Sequence, residues 1–135
     1  MPAFGKRSRD RIATLDSRWK PLLESAIEEI DFTVICGHRD IEAQTRAFDS
    51  GHSTVSWPNS KHNKNPSLAV DLAPWHTDAP HIHWKEDREF IFLAGLIFAY
   101  GRILHLDIRW GGDWDGDFDQ SDQTFMDIGH FEIRG

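Results

Sequence analysis

Two histidines and two aspartates, His62, Asp71, Asp127 and His130, are of the residue types that bind a metal ion and move a proton. A catalytic zinc ion is typically held by three His or carboxylate side chains, with a fourth position left to water. His62, Asp71 and His130 are the candidates for those three. Asp71 lies in a run from Leu68 to Ala73 that alternates as a strand does. Leu68, Val70 and Leu72 take one face, and Ala69, Asp71 and Ala73 the other. A carboxylate amid apolar strand residues is costly unless it is paired or bound to metal, and the flanking alanines leave space for an ion and a substrate. His130 opens a second alternating stretch, in which it shares a face with Glu132 while Phe131 and Ile133 share the other. If the two strands are neighbours, Asp71 and His130 point into one cleft. Asp127 precedes His130 by three residues, across Ile128-Gly129 read as a turn, where a general base could reach a water at the metal. Spacing alone leaves open whether these side chains meet. A lone histidine is more often a surface or satisfied core residue, and a lone aspartate in a strand more often marks a bulge or an edge.

The elements that would position them follow from periodicity. Ile12, Leu15, Trp19, Leu22, Ala26 and Ile30 recur at steps of three and four and lay an apolar stripe along a helical N-terminal region. Pro21 suits a first helical turn, which divides the region into two helices near Ser17. Phe32 to Cys36 reads as a strand with Cys36 in the core. Asp40 to Ser50 reads as a helix with Asp40 as N-cap and Gly51 as its stop. Residues 52–67 are rich in Ser, Asn, Pro and His and read as a loop, as do residues 74–84. Glu86 to Leu104 is a helix whose buried face carries Phe90, Leu93, Ile97 and Tyr100. Short strands follow at Ile108 to Trp110 and His130 to Ile133, around an acidic, glycine-containing loop from Gly111 to Asp122. Helices with a few short, separated strands imply an α+β fold.

The chain has 135 residues, enough for one domain (residues 1–135) with one core. Its net charge of −7 argues against general nucleic-acid binding, which needs a basic face. The longest apolar run, Phe90 to Tyr100, spans 11 residues against the roughly 20 that a membrane helix needs, so no stable membrane insertion is expected. A single cysteine excludes an intramolecular disulfide and a multi-cysteine zinc site. The N-terminus lacks the apolar stretch of an ordinary signal peptide.

Three separated motifs, Ser60-Lys61-His62, Ser67-Leu68-Ala69-Val70-Asp71 and Asp127-Ile128-Gly129-His130, follow one another in that order, the last of them near the C-terminus. In these the chain resembles the zinc D,D-peptidase and hedgehog-type metallopeptidase family. It is most similar to phage endolysins that act as L-alanyl-D-glutamate peptidases, over most of its length. The resemblance implies a small antiparallel sheet with flanking helices, zinc on His62, Asp71 and His130, and Asp127 as catalytic base. It implies that Arg39 sits at the substrate and the developing oxyanion, that Gln44 lines the pocket, and that Ser60 hydrogen-bonds substrate or supports the site. It also places Trp114, which with Trp110 flanks Gly111-Gly112, on a wall of the cleft. The eight residues from Asn63 to Val70 depart from the pattern, being a longer gap than several relatives have.

The implied activity is hydrolysis of the L-alanyl-D-glutamate bond in peptidoglycan stem peptides. The enzyme would be a monomer made in the host cytoplasm that reaches the wall once the membrane is permeabilised. The rivals are a D-alanyl-D-alanine carboxypeptidase or dipeptidase of the same family, and a zinc-stabilised binding module without catalysis. Asp113, Asp115, Asp117 and Asp119 place carboxylates at alternate positions and invite calcium. The EF-hand pattern fails there, and the alternative is a solvated acidic loop. His76, His81 and His83 raise a second metal, for which a plain loop is the preferred reading.

Overall fold

The computed structural model describes residues 2–116 and 127–135. In chain order it comprises α1 (Lys6–Ile12), α2 (Trp19–Ile27), β1 (Phe32–Cys36), α3 (Ile41–Asp49), a single 3-10 turn (Lys61–Asn63), β2 (Ala69–Pro74), α4 (Asp87–Ile103), β3 (Ile108–Gly111) and β4 (Asp127–Ile133). The strands form one antiparallel sheet in the order β1-β2-β4-β3. The α+β architecture expected from the sequence is the one observed.

The N-terminal stripe becomes two helices. Asp16 accepts the backbone N–H of Arg18 and pairs with its guanidinium, and this turn starts α2 with Pro21 in its first turn. The bend between the helices also anchors the sheet: Ser67 N–H donates to Thr14 O at 2.9 Å, and Asp16 N–H donates to Ser67 O at 2.8 Å. Trp19 is fully buried, and its indole N–H donates to Leu68 O at 3.0 Å. The chain entering β2 is thereby held at two points.

One face of the sheet is apolar. Val34, Val70, Leu72, Phe131 and Ile133 pack with Leu22, Leu23 and Ala26 of α2 and Leu93, Ala94 and Ile97 of α4. Tyr100, expected on that buried face, lies at its margin, where its hydroxyl donates to Glu29. The other sheet face carries the polar residues. The register pairs Asp71 with His130 and Ala69 with Glu132, so these four share one side while the Val70–Phe131 pair faces the core.

Two irregularities re-aim side chains. In β1 a bulge between Val34 and Cys36 shifts the register so that Cys36 lies opposite Asp71. Regular alternation would have put Cys36 on the core face with Phe32 and Val34; the bulge turns it to the polar face, and it is half-buried there. In β4 the supposed turn at Ile128-Gly129 is strand. Trp110 pairs with Phe131 and the next residue, Gly111, pairs with Asp127, so Ile128, Gly129 and His130 stand out of the β3 ladder. Gly129 serves close approach and not a reversal: a Cβ there would lie 2.6 Å from Leu72 O.

Candidate metal centre

His62 is delivered by the 3-10 turn inside the stretch that the sequence reads as loop. Ser60 caps this turn: its hydroxyl accepts His62 N–H at 3.1 Å, and Asn63 Oδ1 accepts Ser60 N–H at 3.0 Å. The turn is tied to the strand end, because Arg39 N–H donates to His62 O at 2.8 Å. The eight residues between His62 and Asp71 are taken up by this turn and by the Ser67 anchor.

The three ligand candidates converge. His62 Nε2 lies 3.1 Å from Asp71 Oδ1 and 3.2 Å from His130 Nδ1, and His130 Nδ1 lies 3.0 Å from Asp71 Oδ1. Ligands at zinc bond lengths of ~2.0–2.2 Å in a tetrahedron stand about 3.3 Å apart, so the triangle has the dimensions of one face of such a site. The outer nitrogens fix what the inner ones present. His62 Nδ1 is 2.6 Å from Gly37 O, an oxygen that can only accept, so Nδ1 carries the hydrogen. His130 Nε2 is 2.9 Å from Glu132 Oε1, whose carboxyl is held below its usual range: burial opposes this, but the hydrogen bond and charge of His130 and the charges of Arg109 and Lys61 prevail. In neutral imidazoles, Nε2 of His62 and Nδ1 of His130 then offer lone pairs towards a carboxylate oxygen. Three acceptors this close require a cation between them, a proton or a metal ion. The donor set, two imidazoles and a carboxylate with carbonyl and carboxylate partners behind them, suits zinc.

The electrostatics express the same demand. Burial disfavours a charged His62, yet the charge and hydrogen bond of Asp71, with help from Cys36, raise it from 6.5 to about 10. Burial likewise opposes charge on His130, and its bonds to Asp71 and Glu132 raise it nonetheless. Burial would raise Asp71, but the two histidines hold it well below the usual carboxylate range. Asp127 moves the other way. Burial and then the charge of Asp71 push its carboxyl up, against the pull of His130, His62 and Arg39. A carboxylate oxygen of Asp127 lies within 4.8 Å of ligand atoms of both Asp71 and His130. It stands at the cluster with a raised affinity for a proton.

His62, His130 and Asp127 line a cleft of about 370 Å³, within the ~300–1,000 Å³ typical of ligand sites. Arg39, Ser60, Trp114 and Asp127 line it with His62 and His130, and Lys61 and Arg109 add positive charge. Arg39 Nη2 donates to Asp71 Oδ2 at 3.2 Å and Nη1 to Gln44 Oε1 at 3.2 Å, so Arg39 steadies the metal-side carboxylate from within the cleft. Gln44 does not reach the cleft as the resemblance implied. It is fully buried; its amide nitrogen donates to Ser53 Oγ and Val55 O, and its oxygen accepts from Arg39 and Asn63. Trp114 stands with its ring centroid 5.3 Å from that of His130, and Arg109 covers its face at 4.9 Å. Trp110 is core: its indole donates to Ile128 O.

Sequence reasoning assigned no task to Glu132 or the Gly37 carbonyl. Glu132 was detectable as the same-face neighbour of His130 two positions on; a backbone carbonyl leaves no mark in residue types. Cys36, expected in the core, sits with Sγ 3.9 Å from His62 Nδ1. The 113–119 stretch falls partly outside the described residues, which exclude Asp117 and Asp119. Among the described residues, the acidic and imidazole groups close enough to share an ion include neither Asp113 nor Asp115, and calcium gains no support.

A sheet whose polar face gathers two imidazoles, two carboxylates and an arginine in an open cleft has the make-up of a hydrolase centre, and comparison with known proteins gives its class as peptidase. The family model of the phage L-alanyl-D-glutamate peptidases matches residues 2–134, and the chain belongs to that family. Over 136 residues it is 28% identical to the L-alanyl-D-glutamate peptidase of Escherichia phage T5, covering 96% of each chain. The crystal structure of the Serratia marcescens L-Ala D-Glu endopeptidase ChiX shares the fold with a TM-score of 0.77 at 20% identity, covering 98% of this chain and 90% of that one.

Proposed function

We propose that the protein hydrolyses the amide between L-alanine and D-glutamate in peptidoglycan stem peptides, with zinc held by His62, Asp71 and His130. The observation that carries this reading is the triangle of three acceptor atoms 3.0–3.2 Å apart beside a carboxyl with a raised proton affinity. When bound, zinc supplies Lewis acidity towards the scissile carbonyl and towards water.

Asp127 removes a proton from the attacking water and passes it to the leaving nitrogen. Its raised proton affinity suits the second task, for which an ordinary carboxyl with a pKa of about 3.9 is too weak a base to hold the proton. The water oxygen bonds to the alanyl carbonyl carbon, the C–N bond breaks, and the products are an alanyl carboxylate and a glutamyl amine. Arg39 holds Asp71 and presents positive charge to the cleft, where it stabilises the oxyanion or a substrate carboxylate. Arg39, Lys61 and Arg109 bring positive charge to a cleft that Asp127 and Glu132 also line, which offers cationic partners to an acidic peptide. Trp114 forms a wall against which the peptide packs. The enzyme acts as a monomer on the wall after the membrane is breached; no described helix is long and apolar enough to cross a membrane.

The test is digestion of purified sacculi with zinc-loaded protein, followed by mass spectrometry of the muropeptides. Cleavage next to the alanine attached to muramic acid, lost with chelator and restored by zinc, is the expected result. Release of terminal D-alanine would move the protein to a carboxypeptidase activity, and intact sacculi would leave a binding module.

A further inference from the structure

We propose that His76, His83 and Glu89 form a second divalent-metal site, for a transition ion of the zinc class, that clasps the loop after β2 onto the first turn of α4. His76 Nε2 lies 2.5 Å from Glu89 Oε2 and 3.0 Å from Oε1, and His83 Nδ1 lies 3.3 Å from Oε1. One ligand atom from each residue fits within 4.8 Å of the others. Nitrogen donors from two imidazoles favour zinc, nickel or copper over calcium and magnesium, which take oxygen. Three protein ligands leave coordination positions to water, in keeping with side chains that are 37%, 36% and 28% exposed.

The loop holds this arrangement without an ion. His76 N–H donates to His81 O at 2.7 Å, and His81 Nδ1 meets His76 O at 2.9 Å, a carbonyl that can only accept. The His81 ring stacks on Trp75 at 4.5 Å, so His81 braces the loop and is not a ligand. This pinning sets His76 and His83 side by side, with rings 3.8 Å apart and 11° from parallel. Stacked rings cannot both aim a lone pair at one point, so binding requires them to fan apart, which their exposure allows. Loading also displaces the protons that now bridge the imidazoles to Glu89. The site is separate from the cluster at Asp71: His76 stands two residues beyond the end of β2, and the two groups of ligand atoms share no residue.

Equilibrium dialysis of the full chain against zinc, read by elemental analysis, decides the matter. The parent should bind two zinc ions per chain, and His83→Ala and Glu89→Gln should each bind one while still digesting sacculi. In a His62→Ala/His130→Ala background one zinc should remain, and adding His83→Ala should remove it; this arm is independent of whether the first site is catalytic. Zinc should raise the melting temperature of the double variant and not that of the triple variant, each compared with its own melt in chelator. Loss of all zinc from the His62→Ala/His130→Ala variant, or the same stoichiometry with and without His83, overturns the proposal.

Discussion

The Nδ1 hydrogen of His62 is donated to the carbonyl of Gly37 across 2.6 Å, which leaves Nε2 as the only lone pair the ring can present. Gly37 can accept it because the chain comes close there: a Cβ on Gly37 would lie 2.4 Å from Thr14 Oγ1 and 2.8 Å from Arg11 O. Thr14 and Arg11 thus leave no room for a side chain at position 37, whose carbonyl holds the tautomer of His62. The following expectations rest on that arrangement.

His62→Ala and His130→Ala each remove one corner of the ligand triangle and should abolish both zinc retention and sacculus digestion. Asp127→Asn should keep zinc and lose about 10²–10⁴-fold in kcat, the range for removing a positioned proton carrier. Metal analysis beside turnover on the same preparations separates the roles; loss of zinc from the Asp127 variant would place it among the ligands.

On the proposed reading Glu132 would act on the ion through its hydrogen bond with His130. Glu132→Gln keeps an oxygen near Nε2 but removes the charge, and zinc affinity should fall about 10–100-fold, as for other partners behind metal ligands. Competition with a chromophoric chelator measures this directly. An unchanged affinity would mean that Glu132 serves only the sheet.

Zinc uptake should release protons. In the metal-free protein His62 titrates near 10, so it is charged at neutral pH and the ion must displace that proton. Apparent affinity should therefore rise as pH rises, by about tenfold per unit for each proton displaced, and level off as pH passes His62's own value. The sign for folding is opposite. A raised histidine stabilises the metal-free fold fully below its unfolded value of 6.5, and this stabilisation is lost as pH climbs through about 10. Thermal melts in chelator across that window, beside melts with zinc, test both statements.

Gly111→Ala should slow hydrolysis without touching the ligands. A Cβ at Gly111 would lie 2.1 Å from Asp127 O and 2.9 Å from Asp127 Cβ, so Asp127, the proposed proton carrier, has to move. Zinc stoichiometry should stay at the parent value while kcat drops. As a control on the opposite sheet face, Phe131→Ala should cost about 3–5 kcal/mol of stability through the cavity it leaves.

The parts legible in the sequence are those that follow a period. Alternation in Leu68 to Ala73 put Asp71 on the face away from the core, and alternation in His130 to Ile133 did the same for His130 and Glu132; the observed register joins those faces. Asp40 capping α3 and Gly51 ending it, at a φ of +82°, were equally readable. Periodicity could not show where a strand departs from it. Cys36 left the core through a bulge, and Ile128-Gly129 passed for a turn because a glycine needed for backbone proximity looks the same as one needed for reversal. Gln44 carries a polar amide that matched a pocket position, yet burial turned all of its bonds inward.

The break in the β3–β4 ladder has one more consequence. In an unbroken strand, positions 127 and 130 would project to opposite sides, so an imidazole and an acid three apart could never serve the same substrate. Three residues released from pairing with β3, while His130 keeps its partner Asp71 in β2, would allow a single strand to hold the proposed ion with one side chain and ferry hydrogen with another. Changing the chain length between these two positions would uncouple binding of the ion from turnover, leaving a protein that keeps its zinc and cuts nothing.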